Sequence, residues 1–452
     1  MRSKNQPRNQ LNFLSPTLKE QLNPKHELYL LADEIDWDYF DNEFTKYYSD
    51  KGRPAHPIRL MISLLILKSI YNLSDERLVE EHWEMNAYFQ YFGGATLQRW
   101  GQPCAASDLV HFRQRIGQEG VEKIFKHSID KHGKDGHDKH VSIDSTPQEK
   151  NITYPTDSKL AKKIIDRCVK KAKKENIVLR RSYKRTSKQL LRDTYNATHP
   201  KRRKKANAAK RKLKTIAGRL VRELERKLPQ GNYNKELELY KKVLAQEKNS
   251  KHKVYSLHEP EVYCMSKGKA HKKYEYGCKA SVVLTQKIGI IVGAMTFKTN
   301  LYDGHTLNTV IQQVEALTGN SPKTATVDRG YKGKQTIGNT QINIPKPPLK
   351  KDNAYQKRKK RKHHRRRAAI EPIIGHLKHD HRAARNFLKG QLGDSINFMM
   401  AAAGFNYKKL MKKLKESKLW LFFENKIYSR NFRVLKLELI QNNKIVLFLR
   451  VD

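Results

Sequence analysis

The sequence is short of paired cysteines, long apolar runs and acidic residues. Its four cysteines show no C-x-x-C spacing, which argues against a zinc site or a disulfide framework and predicts a reducing, cytoplasmic location. The longest apolar run, LMISLLILKSIY, contains a lysine and falls short of the roughly 18 residues that a membrane span needs. The chain does not open with the charged and then apolar segment of a signal peptide. These features argue against a secreted disulfide scaffold and a membrane-spanning protein.

The shortage of acidic residues leaves a large positive charge. The chain contains 92 Lys and Arg against 45 Asp and Glu, a net charge of +47. The excess is uneven, because residues 1–140 hold 19 basic and 20 acidic residues whereas residues 151–250 hold 31 and 9. A charge of this size favours nucleic acid as the partner over an anionic membrane surface.

Two kinds of sequence pattern divide the chain. Residues 1–138 contain helical segments such as HPIRLMISLLILKSIYNLS, joined by short turns, and predict an all-α amino-terminal domain. This domain is either a helix-turn-helix-like module that binds DNA or a small helical bundle without DNA contact. Residues 139–412 mix strand and helix patterns and predict an α/β domain, with a tail at 413–452. Residues 430–452 have the pattern of a hairpin or another strand-rich segment.

The α/β region begins with a segment that alternates between apolar and polar residues. KHVSIDSTPQEKN predicts a strand that ends in Asp144 and closes at Thr146 and Pro147. Basic amphipathic helices follow at about residues 155–250 and predict a helical insertion after this first strand. YEYGCKASVVLTQ and IGIIVGAMTFK then predict a hairpin, DGHTLNTVIQQVEALTG a helix, and TATVDRGYKG a short strand that delivers Asp328.

Three carboxylates stand at the ends of predicted elements: Asp144, Asp328 and Glu371. Carboxylates that converge from different elements without a Cys or His cluster suit hard cations such as Mg²⁺ or Mn²⁺. Two such ions can stabilise the attacking and the leaving oxygen of an in-line phosphoryl displacement. Spacing alone does not decide the matter, because aspartates after strands are commonly turn caps.

The segment RKHHRRRAAIEPIIGHLK, residues 361–378, places Glu371 beside a dense run of cations. At 100° per residue, Glu371 and Lys378 fall within about 20° of each other on a helix, and Arg367 and His364 fall on the same side. Pro372 belongs in the first turn of a helix, which favours a start near residue 368. The sequence therefore leaves open whether Arg367 shares the face of Glu371.

These segments resemble bacterial insertion-sequence transposases of the DDE type. Many of those enzymes carry Tyr, two residues, Arg, three residues, Glu, six residues and Lys, and the matching positions here are His364, Arg367, Glu371 and Lys378. One of these four positions departs from the signature, because His364 stands where Tyr is expected.

The resemblance extends to other segments of the chain. SIDSTPQEKN and TVDRGYKGK resemble the segments that carry the first and second catalytic aspartates, which here are Asp144 and Asp328. NLYDGHTL, KGKAHKKYEYGCKASV and the helical segment that starts at GRPAHPIRLM are also similar, so the resemblance runs from about residue 50 to 410. The interval of 184 residues between the two aspartates is long, because the basic helical block lies between them.

The resemblance implies an RNase-H-like catalytic domain and a defined chemistry. Asp144, Asp328 and Glu371 would hold two Mg²⁺ ions, with Mn²⁺ as a substitute, and the enzyme would cut DNA at the transposon ends and join the 3′ ends to target DNA. The implied partners are the terminal inverted repeats, target DNA and a second copy of the chain, in the bacterial nucleoid. The implied DNA contacts are Arg367, Lys378, His364, Lys332, Arg365 and Arg366, and Tyr331 is a further candidate.

Two other functions stay open at this point. A catalytically silent relative would keep the positive charge and bind DNA as an architectural protein. An RNase-H-like nuclease would hydrolyse DNA without joining it to a target. The three intact carboxylates argue against the silent relative.

Overall fold

The computed structural model describes residues 16–429 apart from residues 50, 230–232, 248, 267–272 and 334. The segment predicted as a hairpin at 430–452 and part of KGKAHKKYEYGCKASV lie outside the described residues. In the described part of the chain, no helix is both long enough and apolar enough to cross a membrane.

The amino-terminal region is helical, as the sequence predicts. Its longest elements are an apolar helix that is buried along most of its length and a helix of 25 residues that leaves helical geometry at Gly117, where φ is +60°. A π-helical segment, Arg77–His82, precedes the fifth helix. The helices are α1 (Leu18–Gln21), α2 (Glu27–Glu34), α3 (Trp37–Phe44), α4 (Ile58–Ile70), α5 (Trp83–Met85), α6 (Ala87–Phe92) and α7 (Ala106–Asp130).

The rest of the chain alternates between strands and helices. Its elements are β1 (His140–Lys150), α8 (Asp157–Lys174), α9 (Lys184–Asp193), α10 (Pro200–Lys227), α11 (Asn234–Ala245), β2 (Tyr263–Met265), β3 (Glu275–Thr285), β4 (Ile291–Phe297), α12 (Asp303–Thr318), β5 (Thr324–Thr326), β6 (Thr336–Ile337), β7 (Thr340–Asn343), α13 (Ala354–Ala368), α14 (Ile370–Asp380), β8 (Arg385–Asn386) and α15 (Gly390–Ser429).

The strands form one mixed sheet. Its order is β2-β3-β1-β5-β7-β6, while β4 pairs with β3 and β8 pairs with β1. Strand β1 is antiparallel to β3 and parallel to both β5 and β8. This sheet, the helical amino-terminal region and the helical insertion after the first strand confirm the predicted RNase-H-like α/β class.

The first strand is longer than the sequence predicts. We expected it to end at Asp144, but β1 continues through Pro147 to Lys150. One edge of β1 pairs with β3. The other edge pairs with β5 up to Ser142 and with β8 from Glu149, so the residues between these two segments have β3 as their strand partner. A proline without an N–H donor is tolerated where one edge of a strand has no partner. Asp144 therefore lies in the middle of a strand.

The insertion has a hydrophobic core of its own. Apolar residues of α8, α10 and α11, such as Ile164, Leu220 and Tyr240, form a cluster that is separate from the main core. The block predicted at about 155–250 is thus a packed helical bundle. Its basic residues lie on the outside because the apolar stripe of each helix faces the other helices.

Helix α15 joins the amino-terminal helices to the sheet. Its Asn406 is fully buried, donates to the carbonyl of Ile291 (2.8 Å) and to Ser128 Oγ (3.2 Å), and accepts from the amide of Ile291. One continuous core runs from the amino-terminal helices through the sheet to α15. The predicted domain division at residue 138 stays a prediction, and the core is continuous across it. Helix α15 also crosses the predicted boundary at 412 without a break.

Buried histidines make this junction sensitive to acid. His127 hydrogen-bonds Tyr407 Oη (2.8 Å) and His381 hydrogen-bonds the carbonyl of Ser69 (2.8 Å). Burial lowers the pKa of His127 to about 3 and that of His381 to about 4. The unfolded chain binds these protons near pH 6.5, so the stability due to neutral histidines is complete above that pH and is lost as the pH falls below it.

We predict that acid destabilises the protein through these two residues. Below about pH 6.5, each of the two histidines should lower the free energy of unfolding by up to about 1.4 kcal/mol for every unit by which the pH falls. Urea unfolding over a pH series should give a shallower slope for His127→Gln/His381→Gln than for wild type. His199→Gln, at an exposed position, is the control and should leave the slope unchanged. Equal slopes for wild type and the double variant would contradict the assignment.

Candidate active site

The sheet places the first two carboxylates next to each other. Strands β1 and β5 are parallel, with Ser142 opposite Thr326. Asp144 and Asp328 each lie two residues beyond this pair, Asp144 still within β1 and Asp328 just after the end of β5. Asp144 Oδ1 accepts the amide of Ser145 (2.8 Å), and Asp328 Oδ1 accepts the amide of Gly330 (2.8 Å). Each carboxylate is therefore fixed by a local backbone donor.

The third carboxylate is connected to the second by an arginine. Arg367 Nη1 lies 2.9 Å from Glu371 Oε1, and Arg367 Nη2 lies 3.9 Å from Asp328 Oδ2. Helix α13 ends at Ala368 and α14 starts at Ile370, with Ala369 between them in right-handed helical geometry. Pro372 lies in the first turn of α14, where its missing N–H is tolerated. The interruption is slight, so Arg367 shares the face of Glu371 and the open question from the sequence is answered.

A cleft of about 310 Å³ lies beside this arginine. It is lined by Val327, Asp328, Arg329, Pro345, His364 and Arg367. His364 Nε2 and Arg367 Nε are buried here without a hydrogen-bond partner among the described residues. Buried N–H groups without partners indicate a place where an acceptor such as a phosphate oxygen can bind.

The remaining predicted contact residues lie on the helices and the turn that carry Asp328, Arg367 and Glu371. Arg365 and Arg366 are exposed on α13, and Lys332 is exposed in the turn after Asp328. Lys378 is half-buried on α14, seven residues after Glu371. The sequence leaves Tyr331 either as a DNA contact or as an ordinary turn residue, and its side chain, only 1% exposed, favours the turn residue.

Tyr331 instead lies among the aspartates. Its hydroxyl is buried, and burial together with the negative charges of Asp303, Asp144 and Asp328 raises the pKa of Tyr331 far above its ordinary value. The phenol therefore stays protonated. Its environment shows that these three carboxylates lie around one point of the fold.

Sequence reasoning missed the residues that surround these aspartates. Ser145 Oγ donates to Asp303 Oδ1 (2.7 Å), and Lys279 Nζ lies 2.7 Å from the same oxygen. In the sequence, Asp303 is the first residue of the segment DGHTLNTVIQQVEALTG, whose pattern predicts only a helix. A charged residue inside the apolar strand segment GCKASVV was the signal that could have identified Lys279, since a buried lysine needs a partner.

The donor set fits a hard divalent cation, because its ligands would be carboxylate oxygens. Among the described residues, no group of three His, Cys, Asp or Glu side chains is close enough to hold a metal ion together. The Arg367 guanidinium lies between Asp328 and Glu371 and supplies the positive charge there. The arrangement can thus hold positive charge between two carboxylates, beside a cleft lined by Arg367 and His364.

Two regions of the chain match models of known protein families. Residues 16–115 match the family model of the Transposase domain (DUF772), and residues 246–407 match that of the Transposase DDE domain. Asp328 and Glu371 lie inside the second match, and Asp144 lies between the two. No solved structure matches the chain significantly.

One similar curated protein is the uncharacterized protein ORF8 in the nfe locus of Rhizobium meliloti. It is 40% identical over 172 residues, which cover 37% of this chain and 83% of that protein. On these matches, the chain belongs to the insertion-sequence DDE transposases.

We predict that Gly330→Ala damages the site without unfolding the protein. A Cβ there would lie 3.0 Å from Asp328 Oδ1 and 3.5 Å from Asp303 Oδ2, so the Asp328 carboxylate must move by a few tenths of an ångström. The change should reduce DNA cleavage at least about tenfold, which corresponds to roughly 1.4 kcal/mol in the barrier.

The matched control is Gly375→Ala on helix α14. A Cβ at Gly375 meets no atom within 4 Å, and alanine is the better helix former by about 1 kcal/mol. This variant should keep the thermal stability and the cleavage activity of the wild type. Wild-type cleavage by Gly330→Ala would refute the steric argument.

Proposed function

We propose that this transposase binds the terminal inverted repeats of its element, cuts phosphodiester bonds at both ends and joins the 3′ ends to target DNA. The observation that carries the proposal is the contact of Arg367 with Asp328 and Glu371, beside the strand that bears Asp144. This contact supports a site in which carboxylates from separate elements act beside the cleft of Arg367 and His364, an arrangement that suits phosphoryl transfer.

Asp144, Asp328 and Glu371 would hold the divalent cations, two Mg²⁺ ions with Mn²⁺ as a substitute. Bound cations supply charge stabilisation for the oxygens of the reacting phosphate. Glu371 suits a ligand that adjusts, because its side chain is 57% exposed and tied to the fold through Arg367. Asp144 and Asp328 suit fixed ligands, because backbone amides hold them.

The cations near the cleft would orient the DNA backbone. Arg367 presents a planar guanidinium, which can bind a phosphate with two parallel hydrogen bonds. His364 can donate to a phosphate where the signature has Tyr. Lys378 and Lys332 would bind phosphates on either side of the reacting bond, and the exposed Arg365 and Arg366 would extend the contact along α13.

The insertion would supply affinity that does not depend on sequence. Residues 200–214 hold nine Lys and Arg and no acidic residue. The end of α10 lies beside the segment after α8, because the Arg180 amide donates to Glu223 Oε1 (2.9 Å) and Lys227 Nζ to the Val178 carbonyl (2.8 Å). Helix α10 has 28 residues and α8 has 18, and we infer that the basic start of α10 extends toward the start of α8, near which the insertion leaves β1. DNA bound at the site would therefore meet this surface.

Recognition of the terminal repeats falls to the amino-terminal helices in this proposal. Two ends must be paired before they are joined, so the working form would be a homodimer that holds both ends. Such a protein would act at the bacterial nucleoid.

We predict that Asp144→Asn, Asp328→Asn and Glu371→Gln each abolish cation-dependent cleavage of a duplex that carries the DNA flanking the coding region. Each change removes one charged ligand while it keeps the size of the side chain. Losses of at least about a thousandfold are expected, or roughly 4 kcal/mol in the barrier. DNA binding, measured by fluorescence anisotropy, should persist in all three variants.

The alternatives predict different results in the same assay. Cleavage by all three variants would refute the assignment of these carboxylates. Wild-type binding without any cleavage would identify an architectural protein. Cleavage without joining to a supercoiled target would identify a nuclease.

We also predict that Arg202→Gln/Arg203→Gln/Lys204→Gln weakens non-specific DNA binding. If all three residues contact phosphates, the slope of log affinity against log salt should fall by roughly 0.9 for each lost contact. Lys170→Gln/Lys173→Gln/Lys174→Gln removes the same charge from exposed positions at the opposite end of the bundle and is the control. Equal effects of the two triple variants would show that net charge alone determines binding.

A further inference from the structure

A buried ion pair lies beside the carboxylates of the site and outside the three that we assign to the cations. It joins Lys279 on β3 to Asp303 at the start of α12, with Nζ and Oδ1 2.7 Å apart. The Lys279 side chain is only 9% exposed, and its ammonium also donates to the carbonyl of Leu301. A lysine buried to this degree is costly unless it is paired, so the contact is a built feature of the fold.

Ser145 connects this pair to the first carboxylate. Its hydroxyl donates to Asp303 Oδ1 (2.7 Å), and its amide donates to Asp144 Oδ1 (2.8 Å). Ser145 therefore couples the position of Asp303 to that of Asp144.

The other oxygen of Asp303 lies toward the second carboxylate. A Cβ built on Gly330 would lie 3.5 Å from Asp303 Oδ2 and 3.0 Å from Asp328 Oδ1. Asp303 thus contacts the strand of Asp144 and lies close to the loop of Asp328. Asp303 adds a negative charge near Asp144 and Asp328, and Lys279 on β3 balances that charge.

We propose that the Lys279–Asp303 pair is a positioning element that sets how strongly the site attracts a divalent cation. The inference rests on the proposed function. Asp303 keeps the Asp328 loop against β1, and Lys279 limits the negative charge that the site presents. Neither residue contacts the reacting phosphate in this account.

The pair can be tested with Mn²⁺ alone, titrated into the full-length protein by calorimetry without DNA. Lys279→Met removes a positive charge and should tighten Mn²⁺ binding by about tenfold, whereas Asp303→Asn leaves Lys279 unbalanced and should weaken binding by about as much. The double variant should return toward wild type, and Lys279→Arg should bind like wild type. A purely structural role would shift both single variants in the same direction, and that result would overturn the inference.

A second buried pair provides the matched control. Lys150 on the same sheet is 3% exposed at its side chain and lies 2.6 Å from Asp394. Lys150→Met should lower the thermal stability and leave the Mn²⁺ affinity unchanged. If Lys150→Met tightened Mn²⁺ binding as much as Lys279→Met, the effect would belong to net charge and the inference would fail.

The same titration separates this inference from the proposed function. Wild-type protein that does not bind Mn²⁺, or Asp144→Asn protein that still binds it, would refute the proposed cation site. If wild type binds and Asp144→Asn does not, the cation site stands. Unchanged affinity in Lys279→Met and Asp303→Asn would then refute only the role of the pair. Thermal unfolding of each variant establishes that the titrated protein is folded.

Discussion

Mutual repulsion of carboxylates is the constraint on which this site depends. Asp144, Asp303 and Asp328 lie around the buried hydroxyl of Tyr331, and Arg367 links Asp328 to Glu371 on helix α14. Carboxylates this close are costly without balancing charge. The fold supplies that charge from two directions, through Arg367 from helix α13 and Lys279 from strand β3. The first cation is partly exposed beside an open cleft, while the second is buried.

The rigid frame behind the site comes from one helix. Asn406 of α15 is hydrogen-bonded to strand β4 and to helix α7, and the apolar residues around it belong to one core that also includes the amino-terminal helices. The amino-terminal region and the catalytic sheet are consequently one packed body in the described residues. Helices that read the ends of an element would then be held at a fixed position relative to the carboxylates.

Positive charge in this protein has separate functions at separate places. At the site a few cations make close, directional contacts with carboxylates, and these contacts depend on strand register and helix phase. On the insertion many cations lie on the outside of a bundle that packs around its own apolar core. Surface charge of that kind acts by its sum and is screened by salt. The net charge of +47 therefore combines a few positioned cations with a larger, diffuse surface.

Local patterns in the sequence determined much of the fold. The helical amino-terminal region, the hairpin of β3 and β4, helix α12 and the basic helical insertion all follow from periodicity, because each is set by which residues must face a core. The family is also evident from short motifs. The exact extent of β1 was not evident, since tolerance of Pro147 depends on which neighbouring strands leave its edge free.

The sequence by itself offered Asp144, Asp328 and Glu371 as candidate cation ligands, and the resemblance to transposases added Arg367 as a candidate DNA contact. Only the tertiary structure decided that Arg367 contacts two of these carboxylates, that Tyr331 is buried among the aspartates and that Lys279 and Asp303 support them. The physical reason is that these contacts join segments far apart in the chain. Periodicity reports which face of an element is buried, and strand register and helix packing decide which residues meet there.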